Sequence, residues 1–524
     1  HPPSGHGGAG YRSTAASGGR TATGGGRGTI GATSGDDHTV PPGCPVSGPR
    51  TADSSRASGR RRCGAGSSPH AAVAWSAWYP RTGTGDQDGR SDVPGRGRRH
   101  RRAVKLAVIV QRYGAELNGG AELHARYVAE HLARHAEVEV LTTCATDYIT
   151  WRNEFDPGVE RVNGVPVRRF PVNRERNAEE FGRRSTQVFE EPHSVAAELA
   201  WLRSEGPTSP SLINHLRRQG NAYDYCLFFS YRYYHAYHGI RVAGPRAVLV
   251  PTAERDPALG LRIFGGSFRG VRALMYNSYE ERALINAVSN NDAVPSVVVG
   301  IGSEVPEHPE PQRFRQATGI EGPVLVYVGR IDENKGCREL FDYFQCYARL
   351  SPQLTLVLIG TPVMPIPTHS RIRHLGYVTD EEKFDVMAAA DLLVMPSHYE
   401  SLSMVTLEAW ALGRPVLANG RCDVLCGQCI RSNGGLYYES YEEFAETLHA
   451  IVSNSTLRNA LGMNGRAYFN RHYTWPVIER KYLDMLDRLE HEDAGQVNRP
   501  EPLPSWFGRR RRDLPPGRQV VDRL

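Results

Sequence analysis

Lys105-Leu106-Ala107-Val108-Ile109-Val110, followed by a polar loop that closes on Asn118-Gly119-Gly120, is the stretch that decides the fold. An unbroken apolar run of this length marks a strand buried on both faces of a parallel sheet, because a strand with one wet face would alternate. Over 121–133, Ala121, Ala125, Val128, Ala129 and Leu132 recur at helical spacing, and 138–141 is the next apolar run. Strand, glycine-bearing turn, helix and strand make a βαβ unit, so the chain opens as a Rossmann-like layer. Further strands are expected at 226–229, 248–250 and 297–299, with a helix over 279–288. The polar stretch 148–218 has no clear period and reads as irregular.

Pro306, Pro309, Pro311 and Pro323 give 301–323 the composition of a linker. A second alternation then begins, with strands at 324–328, 354–359, 392–395 and 416–418 and helices at 338–350, 383–389 and 403–412. Helices at 441–452, 457–469 and 475–489 follow, the last placed to pack back across the domain boundary. The expected class is α/β: two doubly wound, Rossmann-like domains facing across a cleft, 104–300 and 324–490.

Composition bounds the rest. The chain has 524 residues, 40% of them hydrophobic, which suits two domains with extensions. Residues 1–103 hold 15 Arg and 6 Asp, a net charge of +9, and contain no Leu, Met, Phe or Lys. So little apolar surface cannot offset the entropy of ordering a backbone, and the segment reads as disordered. It offers neither the apolar core of a secretory signal nor an acid-poor amphipathic helix. Residues 491–524, rich in Pro and carrying Arg509 to Arg512, read as a second disordered, basic tail. That tail admits a weak peripheral attachment to anionic lipid beside the plainer reading of a solvated end. Residues 104–524 carry 48 basic and 51 acidic side chains, a net −3, so the body lacks the basic face that nucleic-acid binding demands. No apolar run reaches membrane-spanning length, and the nine cysteines form no secreted framework. A cytoplasmic protein is expected, with peripheral contact at the inner membrane face as the only membrane role.

Three chemical signals follow strand ends of the second domain, the rim where open parallel sheets bind ligands. Gly329-Arg330, with Lys335-Gly336 five residues on, puts two cations on a turn entering a helix, a setting suited to a diphosphate. A surface turn paired with Asp332 and Glu333 is the plainer alternative. Glu400 lies in the loop after the strand at 392–395, and Glu408 sits on an otherwise apolar helical stripe between Met404 and Leu412. An unpaired carboxylate there would be costly, whereas vicinal sugar hydroxyls would satisfy it as donors; a structural salt bridge to an Arg is the alternative. Gly360, also past a strand, permits a close backbone approach.

Glu400-x7-Glu408, continued by Ala409, Ala411, Gly413, Pro415 and Val416, together with Gly329-Arg330 and Lys335-Gly336, resembles the signature of the retaining glycosyltransferases of family 4, which have the two-domain GT-B fold. The resemblance covers about residues 104–490. It implies that Arg330 and Lys335 bind the diphosphate of a nucleotide-sugar donor, Glu408 its ribose and Glu400 its sugar, with Ser401 and Leu402 beside them. It also implies that Gly119 and Gly120 line the diphosphate from the opposite domain, and that Glu400, Arg330 and Lys335 carry the catalytic work. Sugar transfer to a carbohydrate or glycolipid-type acceptor, with retention of anomeric configuration and no cofactor or metal, is the implied activity. Many members carry a His after the strand corresponding to 248–250, whereas this chain has Glu254 there; His124, His235 and His238 are substitutes for it.

Other classes fit less well. A nucleotide-sugar epimerase would share the architecture and dispense with an acceptor. Cys422-x3-Cys426-x2-Cys429 has the spacing of a radical S-adenosylmethionine cluster, but it stands after what reads as the last sheet strand of a Rossmann-like domain, in what reads as a buried loop. A nucleic-acid binder would have to work through the Arg-rich tails, and a nicotinamide dehydrogenase would need the G-x-G-x-x-G that does not follow Val110.

Overall fold

The computed structural model describes residues 103–117, 119–492 and 514–524. The expected disordered extension therefore lies, apart from Ala103, outside the described residues, as does 493–513 of the basic tail.

The first domain contains β1 (Lys105–Ile109), β2 (Glu137–Thr143), β3 (Gly158–Val162), β4 (Val165–Phe170), β5 (Tyr225–Phe229), β6 (Ala247–Val250), β7 (Ala273–Tyr276) and β8 (Ser296–Val298). They form one sheet in the order β3-β4-β2-β1-β5-β6-β7-β8, parallel except where β3 runs against β4. β1 sits centrally, with Val108 opposite both Val140 and Leu227, which is why its apolar run is continuous.

The second domain contains β9 (Val324–Val328), β10 (Thr355–Ile359), β11 (Ile372–His374), β12 (Leu392–Met395), β13 (Val416–Asn419) and β14 (Gly435–Tyr438), in the parallel order β11-β10-β9-β12-β13-β14. Winding reverses beside β1 in the first sheet and beside β9 in the second. Such reversals open a crevice at the carboxyl ends of the strands.

Four expectations are corrected. Residues 148–218 are not irregular: they hold β3 and β4 and the helices Ala178–Glu190, Val195–Glu205 and Pro210–Gln219. β3 is almost wholly exposed and the helix Ala178–Glu190 buries only Val188, so neither leaves an apolar period. The linker 301–323 encloses the helix Pro311–Thr318, with Pro311 at its first turn and Gly319 ending it at φ 67°. Proline is preorganised for that position, so here it begins a helix rather than barring one. That helix docks on Asp380–Ala389, where Asp385 accepts the Glu310 backbone N–H at 2.6 Å and pairs with Arg313 at 2.8 Å.

The end of the chain is not loose over 514–524. Leu514 and His193 exchange backbone hydrogen bonds at 3.2 Å, and the short helix Gly517–Val521 buries Val521 against the first domain. Two or three apolar anchors are too few to register as a period. Finally, β14 follows the cysteine triplet, so β13 is not the last strand.

The helix Trp475–His491 does cross between the domains. Trp475 stacks on His131 of the helix Gly120–Leu132, with ring centres 3.7 Å apart and planes 11° apart. Glu479 accepts from His131 at 2.6 Å and His135 at 2.9 Å. Arg272 donates to the carbonyls of Leu489 and Glu492. Among the described residues, no helix is long and apolar enough to cross a membrane.

Candidate functional site in the cleft

The second sheet's contribution rests on glycines that let three loops touch. Gly329 and Gly360 end β9 and β10 at φ 149° and 130°, and a Cβ on Gly360 would lie 2.1 Å from the Gly329 carbonyl oxygen. Gly336, at φ 73°, would meet the Pro396 carbonyl oxygen at the same 2.1 Å. Side chains are excluded at both points. The loop between them is cinched by Asp332, which accepts the Lys335 backbone N–H at 2.8 Å and pairs with the Arg330 guanidinium. Arg330 also donates to the Tyr148 hydroxyl at 2.8 Å, a contact from the first domain. Lys335 Nζ stands 2.7 Å from Glu400 Oε1. Burial disfavours its charge, but Glu400 and Glu254 together hold its pKa above the ordinary lysine value.

After β12 the chain turns into the helix Met404–Ala411, capped by Ser403, whose Oγ accepts from the Thr406 N–H. Glu408 points back toward the cleft with 8% of its side chain exposed. Its Oε1 lies 3.2 Å from Lys383 Nζ, which also reaches Asp380 at 3.1 Å. Its Oε2 is buried and has no hydrogen-bond partner among the described residues. Burial raises the Glu408 pKa and Lys383 offsets part of that rise. The expected alternative was an Arg; the cation present is Lys383, which arrives from another helix and leaves no local signal in the sequence.

The first domain supplies the opposite wall. Gly119 caps the helix Gly120–Leu132 in extended conformation, and a Cβ there would come within 2.3 Å of Glu122 Oε2. Glu122 is held by Arg112, whose Nε donates at 2.8 Å. His124 is buried edge-on to Phe229, its Nε2 unpartnered among the described residues, and burial pushes its pKa down to about 3, so the ring is neutral. Glu254, after β6, faces the same space. Burial, followed by the repulsion of Glu400, pushes its pKa up to about 7. Its loop is clipped by Glu281, which accepts the backbone N–H groups of Ala253 at 2.6 Å and Asn277 at 2.5 Å. Glu281 is itself pushed up to about 8 by burial.

These walls enclose a cavity of ≈ 740 Å³. Of the residues expected from the sequence, Gly120, Gly329, Arg330, Lys335, Gly360, Glu400, Ser401, Leu402 and Glu408 line it, with His124 and Glu254. Gly119 stands just behind, as the cap. His235 is turned away, bonded through Nε2 to the Phe229 carbonyl, and burial takes the pKa of His235 and of His238 down to about 4. The cysteine triplet lies not in a loop but on the helix Asp423–Ser432 and its cap, where Cys422, Cys426 and Cys429 recur at helical spacing. Burial pushes the Cys422 and Cys429 thiols up to about 12. No group of three or more His, Cys, Asp or Glu among the described residues is arranged to hold a metal ion.

Two Rossmann-like domains with their switch points opposed across a polar cleft define the GT-B architecture. Solved structures agree: sucrose-phosphate synthase from Thermosynechococcus elongatus superposes with a TM-score of 0.55 at 18% identity, over 74% of this chain and 99% of its own. Anabaena Alr3699/HepE in complex with UDP and glucose gives 0.55 at 17% identity, over 73% and 99%. Residues 322–454 match the family described as Glycosyl transferases group 1. Mannosylfructose-phosphate synthase of Agrobacterium fabrum is 32% identical over 206 residues, 34% of this chain and 43% of that protein. The lipopolysaccharide core biosynthesis glycosyltransferase LpsE of Rhizobium meliloti is 29% identical over 185 residues, 33% of this chain and 52% of that one. The chain thus spans about half the length of these relatives.

Proposed function

We propose that the protein is a glycosyltransferase that moves a sugar from a nucleotide-diphosphate sugar to an acceptor. The observation that carries this reading is Glu408: a buried carboxylate whose Oε2 has no donor among the described residues and which lines the same cavity as Arg330 and Lys335. A diphosphate suits the two cations, and a ribose presents the vicinal hydroxyls that Glu408 lacks. Glu400, bound to Lys335, then lies beside the transferred sugar. The GT-B fold and the matched relatives support the same activity.

Retention of configuration follows from the resemblance to family 4. In that chemistry the acceptor hydroxyl attacks from the face the diphosphate leaves, so no protein nucleophile is required. Arg330 and Lys335 stabilise the charge that develops on the leaving phosphate, and the two domains hold donor and acceptor in register. A carbohydrate or glycolipid-type acceptor is supported by the kind of product named for LpsE. A cytoplasmic location is supported by Cys144, Cys226, Cys337, Cys422, Cys426 and Cys429, which are free thiols; peripheral contact with the inner membrane face is the role assigned to the basic tail.

Calorimetric titration with UDP, GDP and ADP, alongside hydrolysis of the corresponding sugar donors, tests the reading. One nucleotide should bind, and Arg330→Ala and Lys335→Ala should each weaken it by about 1.5–3 kcal/mol without unfolding the protein. Unchanged affinity in both variants would remove the diphosphate from this loop.

A further inference from the structure

Lys335 pairs with one carboxylate and shares the cavity with a second. Glu400 holds it directly at 2.7 Å. Glu254, on the opposite wall, faces both of them and receives no hydrogen bond to its carboxylate among the described residues. The other cations around Glu254 are committed elsewhere: Arg232 pairs with Glu205 and Asp256, each at 3.0 Å, Arg255 with Asp423 at 3.8 Å, and Arg421 with Glu339. Further titratable groups around Glu254 are Asp256 and Tyr231 on its own side, Glu281 packed beneath its loop, and Glu280, His398, Cys422 and Asp423 around the smaller cavity. Glu254 and Glu400 also line both the main cavity and a smaller one of ≈ 50 Å³, so Glu254 borders open space on two sides. A ligand in the main cavity is signalled independently by the unpartnered Glu408 Oε2.

A diphosphate that claims Lys335 changes this balance. It removes the ammonium from the two carboxylates and adds negative charge beside them, and both effects favour the neutral form of a carboxyl group. We propose that Glu254 takes up one proton from solvent when a nucleotide diphosphate engages Lys335, and so meets the transferred sugar as a neutral carboxyl offering one donor and one acceptor. The inference rests on the donor reading of the cleft. Glu254 is the group suited to the role because burial and Glu400 already hold it at about 7, within reach of a further rise. By linkage, a group that binds a proton with the ligand makes affinity increase as pH falls, up to about tenfold per pH unit for one whole proton.

The test is calorimetry of the wild-type chain with UDP, GDP and ADP at pH 8, where a terminal phosphate with a pKa near ~6 is already ionised and contributes little. Repeating the titration in buffers of different ionisation enthalpy gives the number of protons bound. Uptake of roughly half to one proton in the wild type, falling toward zero in Glu254→Gln while nucleotide still binds, is the expected result. Nucleotide binding with no proton uptake in the wild type would overturn the proposal and leave the glycosyltransferase reading intact, and this arm does not depend on the variant. Uptake retained in Glu254→Gln but lost in Glu400→Gln would assign the proton to the wrong carboxylate and also overturn it. Failure of all three diphosphates to bind would remove the donor reading itself.

Discussion

Glu408 has two oxygens with different fates, one on Lys383 and one buried with no hydrogen-bond partner among the described residues. Replacement by Gln keeps the volume and leaves an acceptor for Lys383, which also retains Asp380 at 3.1 Å. No cation is stranded, so the free protein should lose no more than about 1–2 kcal/mol in denaturant unfolding. Nucleotide affinity should fall roughly tenfold, because a charge-assisted hydrogen bond becomes a neutral one. A loss of ~3–5 kcal/mol without ligand would mean that the carboxylate exists to neutralise Lys383 and has no ribose role. The sequence exposed this residue because a carboxylate on an apolar helical stripe is anomalous by itself. It could not expose Lys383, since pairing between helices 25 residues apart follows from tertiary packing and not from spacing on one element. Glu254 was visible as a carboxylate after a strand, but the causes of its raised pKa, burial first and then Glu400 across the cleft, belong to the assembled site.

At the scale of elements, the contact between the β9 and β10 loops depends on Gly360. Gly360→Ala puts a methyl 2.1 Å from the Gly329 carbonyl oxygen at a φ of 130°, so strain of about 1–3 kcal/mol should appear together with displacement of Arg330 and weaker nucleotide binding. Gly413→Ala is the matched comparison: its φ is 68° but the space around it is open. It should cost about 1–2 kcal/mol of stability and leave nucleotide affinity unchanged. Equal affinity in the two variants, measured by titration, would show that the loop contact does not set the cation geometry. Elements were readable where burial on both sheet faces or on one helix face left a period, as in β1, β5, β9 and β12. They were hidden where an edge strand such as β3 faces water, where a helix such as Ala178–Glu190 buries a single residue, or where Pro311 starts a helix inside a segment that composition alone marks as a linker.

The cleft is also a property of the whole molecule, since its walls come from two sheets tied by the helix Trp475–His491. Glu479 is the polar centre of that tie, accepting from His131 and His135 while Trp475 stacks on His131. Burial alone would raise the Glu479 pKa, but the two histidines hold it below the ordinary glutamate value. A carboxyl group with a depressed folded-state pKa stabilises the fold above its unfolded pKa of about 4.5, and that contribution is lost as pH falls through the lower, folded value. The tie should therefore be intact at neutral pH and fail in acid below about pH 4.5. Glu479→Ala should abolish this part of the acid dependence and destabilise the protein at pH 7 by about 1–3 kcal/mol, the cost of leaving the buried His131 donor unpaired. Because the helix belongs in sequence to the second domain and docks on the first, its loosening should also uncouple them. Differential scanning calorimetry should then resolve two transitions in Glu479→Ala where the wild type gives one. A single transition with unchanged midpoint and unchanged acid sensitivity would mean that the domains are joined through the 301–323 segment and the shared apolar core, and that the histidine–glutamate contact is incidental to the closed cleft.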